Sequence, residues 1–326
     1  MAIAQSRKIE LSEIPVVDLG LLSGSDDGRR RLGRELCDAC EAVGFFYVAN
    51  HGVPKEAVDS IFEQCRRFFD IPMEERRSLA ITRSPVYRGY LAMGERGANT
   101  NRPADILEAL NLGLDLGPDD PNVKAGTPLH GPNQWPTSLP GFREAVTVYQ
   151  QTMSELTDKI LWATALALDV PFAQLDPLFS KPLTQMRLLH YPPQPPEIDS
   201  MMGARPHQDT SFLTILLQDD VGGLEVQARN GEWLAAPPWP DMFVVNVGEF
   251  LEALTSGCFW PAFHRVVNRT RARRYSVPFF VSPNFSTVLA PLPQFANRPG
   301  ARAFQPIHIG NAMASFFHSL WPSIAA

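Results

Sequence analysis

Pro206-His207-Gln208-Asp209-Thr210-Ser211 runs directly into Phe212-Leu213-Thr214-Ile215-Leu216-Leu217, and the rest of the chain is read outward from this stretch. Its second half is a short apolar run of the kind that forms a buried β-strand. In an extended chain, side chains two positions apart point to the same side, with Cα atoms roughly 6–7 Å apart. His207 and Asp209 can therefore aim an imidazole and a carboxylate at one metal ion while Gln208 faces away. One further histidine completes a two-histidine, one-carboxylate facial triad, a donor set that suits Fe(II) and leaves three positions open for chemistry. The triplet alone decides little, because a chain with 7 His yields about 0.4 His-x-Asp triplets by chance.

The composition is that of an ordinary globular protein: 326 residues, 44% hydrophobic and 20% charged. The length allows one large domain or two ordinary ones. Proline, at 30 residues, is roughly twice its usual share, which favours a fold rich in turns over a helical bundle. A net charge of −6 gives no basic footprint for nucleic acid, and Arg29-Arg30-Arg31 reads as a solvated helix face. No apolar stretch is long enough to cross a membrane, and Met1–Lys8 lacks the apolar core of a secretory signal. Cys37 and Cys40 form a C-x-x-C inside an apparent helix, where neither a redox motif nor a zinc site is expected. A reducing, cytoplasmic setting is the expectation.

The N-terminal half reads as mixed and largely helical. A short strand is expected over Glu13–Leu19, and an amphipathic helix from about Asp27 to Val43, ended by Gly44. A strand follows over Phe45–Ala49, then helices from about Lys55 through Phe69 and from Met73 to Leu79. Thr82 to Pro140 reads as loop-rich. The longest helical pattern runs from about Gly141 to Leu168, its stripe carried by Tyr149, Met153, Leu156, Ile160, Ala163 and Ala167. After residue 183 short apolar runs recur at close spacing: 186–190, 213–217, 224–227, 243–247, 265–268 and 275–281. Such spacing indicates a sandwich, barrel or jelly roll, and Asn311 to Trp321 reads as a closing helix. The expected organisation is a helical region over 1–182 and a β-region over 183–326, packed as one unit.

Of the remaining histidines, His264 heads the run Arg265-Val266-Val267-Asn268, 55 residues after Asp209. A jelly roll brings such distant strands together. Ten residues on, Arg274 and Ser276 face one side of a strand, so that a guanidinium fork and a hydroxyl converge as a carboxylate requires. In isolation, a surface arginine in the run Arg271-Ala272-Arg273-Arg274 is the better explanation of Arg274.

Together these residues resemble the Fe(II)/2-oxoglutarate-dependent dioxygenases of the isopenicillin N synthase-like family. The likeness extends to Ile14–Leu19, Gly44–Val53, Arg187-Leu188-Leu189-His190-Tyr191-Pro192-Pro193, Gly222–Val226 and Val244–Glu249, and covers most of residues 14–285. It implies an α+β fold with a double-stranded β-helix (jelly-roll) core, a helical N-terminal region and a C-terminal helix. It implies that His207, Asp209 and His264 hold Fe(II), and that Arg274 and Ser276, helped by Tyr191, bind the distal carboxylate of 2-oxoglutarate. It further implies a small-molecule substrate and O2, oxidation of an unactivated C–H bond by hydroxylation, desaturation or cyclisation, and release of succinate and CO2. Use of the same iron without 2-oxoglutarate, ethylene formation from it, and a non-catalytic binding domain are the competing readings.

The chain departs from the family pattern where Leu189-His190 replaces Asn-Tyr, so Arg187 and His190 are the side chains left to supply a polar contact near the cosubstrate. Glu249 replaces the usual Asp after Asn-x-Gly, a structural exchange. By the same resemblance Tyr87, Arg88, Tyr90, Leu213, Phe280 and Phe285 are candidates to line the substrate pocket, with core packing the alternative for the aromatic residues and the favoured one for Phe280 and Phe285.

Overall fold

The computed structural model of the chain describes residues 6–7, 13–95, 105–193, 202–270 and 272–324. Arg271 and most of Met1–Lys8, both used in the sequence reading, lie outside these residues.

In chain order the principal strands are Val16–Asp18 (β1), Phe45–Ala49 (β2), Gly89–Leu91 (β3), Glu108–Gly113 (β4), Pro182–Tyr191 (β5) and Ala204–His207 (β6). Leu213–Gln218 (β7), Leu224–Gln227 (β8), Trp233–Ala235 (β9), Phe243–Val247 (β10), His264–Val266 (β11) and Arg274–Asn284 (β12) follow. An eight-stranded sheet has the order β1-β2-β10-β7-β12-β5-β4-β3, and a four-stranded sheet the order β6-β11-β8-β9. Apart from the parallel β1–β2 pair, neighbours in both sheets are antiparallel. Strands from both sides of residue 182 share the large sheet, so the two regions meet along hydrogen-bonded edges.

The two sheets face each other across a cavity walled by Leu216, Pro278 and Leu189 on one side and Ala204, Leu224 and Val266 on the other. This is a double-stranded β-helix core. The opposite face of the large sheet is covered by helices Asp26–Ala42, Lys55–Asp70 and Phe142–Leu168. Gly33 lets the first and third of these approach closely: a Cβ there would lie 2.9 Å from the Leu166 carbonyl oxygen. The C-terminal helix, Ile309–Leu320, is held by the stack of Phe317 and Trp321 on Tyr87.

Strands β3, β4 and β5 differ from the expectation, and β6 and β9 lie where no strand was expected. The loop-rich region contains β3 and β4, and β5 begins at Pro182 rather than Met186. In both cases buried polar side chains interrupt the apolar run. Glu108 and Asn111 in β4 are almost fully buried, while Gln185 and Arg187 in β5 face a cavity.

Gly44 ends the first helix as expected, with φ +73°, and its amide donates to the Ala39 carbonyl at 2.9 Å. A Cβ there would lie 1.8 Å from the carbonyl oxygen of Trp260, on the segment that leads to His264. Gly44→Ala is expected to destabilise the fold by about 2 kcal/mol or more, combining left-handed strain with displacement of that segment. Urea unfolding reads this directly, and an unchanged midpoint would contradict it.

Candidate metal centre

β6 and β11 pair so that His207 lies directly opposite His264. Directly opposed residues in an antiparallel pair project to the same face, and here the ring centroids are 4.3 Å apart. Asp209 follows the end of β6, and its Oδ1 is 3.7 Å from Nε2 of each histidine. One potential ligand atom from each of the three lies within 4.8 Å of the others, the one such group among the described residues.

The surroundings aim these atoms. His207 Nδ1 sits 2.7 Å from the Arg205 carbonyl and His264 Nδ1 3.3 Å from the Ala262 carbonyl. With Nδ1–H donating to a carbonyl, the Nε2 lone pair is left for a metal. Asp209 is 6% exposed, and its two oxygens are divided in role. Thr214 Oγ1 and Asn246 Nδ2 donate to Oδ2 at 2.7 and 2.9 Å, while Oδ1 faces the histidines. Burial pushes this carboxyl's pKa up, but the His264 and His207 imidazoles, then the Asn246 and Thr214 hydrogen bonds, outweigh it and hold it at about 2. The turn is pinned by amide hydrogen bonds from Glu249 to the Asp209 carbonyl and from Phe250 to the Ser211 carbonyl, each 3.0 Å. Gly248 is required there, since a Cβ would approach the Ser211 carbonyl oxygen to 2.1 Å. Glu249 anchors the same turn by accepting from Thr210 Oγ1 at 2.5 Å.

At the other end of the inner cavity lies Arg274, with 0% exposure. Its guanidinium donates to Ser276 Oγ at 3.1 Å and to the Gly222 carbonyl, reaches Gln218 Oε1 at 3.5 Å, and sits 4.5 Å over the Tyr191 ring. Among the described residues no carboxylate forms an ion pair with it; the Asp219 carboxyl, held by the Tyr275 and Val221 amides, feels its charge from beyond ion-pair distance. A buried cation normally requires a counter-charge, so the cavity has the chemistry of an anion site.

An outer cavity of about 310 Å3 opens from the triad. It shares Arg187, His207, Asp209 and Phe280 with the inner one, and is closed by Met313, Phe316 and Leu320 of the C-terminal helix. Arg187 and Phe280 thus lie where the two cavities meet, the guanidinium 5.0 Å from the ring centroid. The other expected pocket residues fall elsewhere. Leu213 alternates with Thr214, so the pleat turns it to the helix-covered face. Tyr90 points to that same face and donates to Glu108, while Tyr87 packs under the C-terminal helix. Phe285 lies past the end of β12, against His130 and His308. Arg88 is 3% exposed and lines neither cavity, its guanidinium lying over Gly113 on the inner face of the large sheet. His190 also faces away from the inner cavity: Nδ1 bonds Glu108 at 2.7 Å and Nε2 accepts from Arg273 at 3.2 Å. Gln208, expected to face away, lines the outer cavity and donates to the Pro261 carbonyl.

Sequence reasoning missed Thr214, Asn246 and Gln218. The signal was present: each is a polar residue inside an otherwise apolar strand, in phase with the inward-facing Leu216 and Val244.

Residues 14–138 match the family model described as non-haem dioxygenase in morphine synthesis N-terminal, and residues 183–283 that of the 2OG-Fe(II) oxygenase superfamily. A 2-oxoglutarate-Fe(II) type oxidoreductase of Emericella nidulans, hxnY, is 32% identical over 302 residues, which are 90% of this chain and 86% of that protein. The chain belongs to the 2OG-Fe(II) oxygenase superfamily. It is an Fe(II)- and 2-oxoglutarate-dependent dioxygenase that oxidises small molecules. Among solved structures, a putative 2OG-Fe(II) oxygenase family protein of Caulobacter crescentus superposes with a TM-score of 0.81 at 28% identity, over 94% of this chain and 98% of that one. A dioxygenase for auxin oxidation in rice superposes with a TM-score of 0.75 at 26% identity, over 94% and 95% of the two chains.

In this dioxygenase, Asn246→Leu removes a donor from a buried carboxylate and is expected to lower stability by about 1–3 kcal/mol at pH 7. Because Asp209 titrates lower in the folded chain than in the unfolded one, its contribution is complete above about pH 4 and is lost as pH falls towards 2. The gap between the metal-free variant and the metal-free parent should therefore shrink at pH 3 in chemical unfolding. A gap that widens on acidification contradicts the assignment.

Proposed function

We propose that His207, Asp209 and His264 hold Fe(II), and that Arg274 and Ser276 bind the distal carboxylate of 2-oxoglutarate in the inner cavity, with Tyr191 as the ring beneath the guanidinium. The outer cavity then receives a small organic substrate, whose unactivated C–H bond is hydroxylated, desaturated or used for ring closure. Arg274 carries this reading. It is completely buried without an ion-paired carboxylate among the described residues, it bonds a serine hydroxyl, and it shares a cavity with the triad.

The donor set fits the metal. Two neutral imidazoles and one carboxylate leave Fe(II) a net charge of +1, suited to a dianionic cosubstrate. Bound there, the metal and 2-oxoglutarate supply the oxidising chemistry, with succinate and CO2 as the cosubstrate's products. The chain's own residues do the positioning. Thr214 and Asn246 fix the carboxylate, the Arg205 and Ala262 carbonyls fix the imidazoles, and Arg274 sets how deeply the cosubstrate sits. Leu189, Leu216, Pro278 and Val266 keep the inner cavity dry. All four cysteines are free thiols, which supports the reducing cytoplasm as its setting.

Arg274→Met should weaken 2-oxoglutarate binding by about tenfold to a hundredfold, the loss of charge-assisted hydrogen bonds. Anaerobic titration of the Fe(II) protein checks this, and binding equal to the parent's would refute the assignment. His207→Ala should abolish substrate-dependent succinate release. Oxygen uptake that needs no 2-oxoglutarate, or ethylene as its product, would replace this reading with a different use of the iron.

A further inference from the structure

The inner face of the large sheet continues beyond the iron cavity onto β4 and β3, and its polar side chains there lack partners. Asn111 lies directly opposite Arg187 and therefore on the same face. It is 4% exposed, and neither its amide nitrogen nor its side-chain oxygen has a hydrogen-bond partner among the described residues. Gly113 lies opposite Gln185 in the next row. The Arg88 guanidinium fills the space above Gly113, with Nη2 2.1 Å from where a Cβ would sit. Arg88 is 3% exposed, its one side-chain hydrogen bond among the described residues is to the Leu129 carbonyl at 3.2 Å, and Nε has no partner. No carboxylate among the described residues pairs with it. Gln185 lines the outer cavity, and its side chain makes no hydrogen bond to the described residues.

A guanidinium buried without a counter-charge, beside two amides with unused donors, is a donor set lacking its acceptor. We propose that Arg88, Asn111 and Gln185 form a subsite for the carboxylate of the primary substrate, which is therefore a small carboxylic acid with an apolar body. One cation with two amide donors matches a single negative charge rather than a phosphate dianion. The apolar body lies along Phe280, Met313 and Phe316, which places its carbon atoms beside His207 and Asp209. Gln185 stands at the entrance and moves aside for the acid. Burial pushes the Arg88 guanidinium down to about 10, the direction that a nearby anion reverses.

The inference rests on the iron and cosubstrate placement proposed above, so the test uses the anaerobic Fe(II)·2-oxoglutarate protein with the cosubstrate saturating, which keeps Arg274 occupied. Butyrate, hexanoate and 3-phenylpropionate are titrated beside their amides, with the visible spectrum of the iron centre as readout. At least one acid should bind about tenfold or more tightly than its amide. Asn111→Asp places a carboxylate beside Arg88 within the chain. It should abolish the acid preference and raise the melting midpoint of the metal-free protein, and Arg88→Met should abolish the preference as well. Acid and amide binding equally, no acid binding at millimolar concentration, a preference surviving in both variants, or a lower midpoint in Asn111→Asp each overturns the subsite. Failure of the Fe(II)·2-oxoglutarate complex to form would instead overturn the placement on which it rests.

Discussion

A carboxylate taken out of water between two sheets is the constraint on which the centre depends. Asp209 cannot stay ionised at that depth without compensation. The fold supplies it by committing Oδ2 to the Thr214 hydroxyl and the Asn246 amide, on the neighbouring strands β7 and β10. That commitment leaves Oδ1 facing the two histidines, so one set of hydrogen bonds both stabilises the charge and orients the ligand. Gly248, the Glu249 amide and the Phe250 amide then hold the backbone of the turn. β6 and β11 bring the histidines, and β7 and β10 bring the groups that restrain the acid.

The large sheet treats its two faces differently. On the helix-covered face the buried charges satisfy one another: Glu108 accepts from Arg76, Tyr90 and His190, and His190 accepts from Arg273. On the inner face Arg274 and Arg88 are buried without an ion-paired acid among the described residues, and the Asn111 side chain has no hydrogen bond to them. A fold that pairs its charges so fully on one face and leaves cations bare on the other has the electrostatics of a receptor for acids. Arg187, on the same face as Arg274 and Asn111, stands between them where the two cavities meet.

Much of the site was legible because metal chemistry narrows the choice of residues. Two histidines and an aspartate at strand ends, with Arg-x-Ser ten residues on, restrict the possibilities far more than any single triplet does. The helices were legible from their apolar stripes, and the closing helix from its run of Met and Phe. The pocket lining was not. Leu213 was expected to face the substrate, yet a side-chain period of two makes Thr214 and Leu216 the inward residues, and a one-residue choice of phase reverses every assignment on a strand. His190 fails for the same reason, since it alternates with Leu189 and Tyr191. β4 was missed because its polar residues, Glu108 and Asn111, read as loop until their buried surroundings are known.

The sequence by itself determined the donor set, most of the strands around it and the helices that cover them, because those depend on residue type and periodicity within short windows. β6, which carries His207, was not among the expected strands. Only the tertiary structure decided which faces of β4, β5 and β7 look inward, and that Asn246 and Thr214 restrain Asp209. It also decided that Arg88, far from Arg187 along the chain, comes to lie on the same face of the sheet. The physical reason is that pleat phase and strand register arise from pairing between segments distant in sequence. No local pattern encodes which side of a half-polar strand will meet water, metal or substrate.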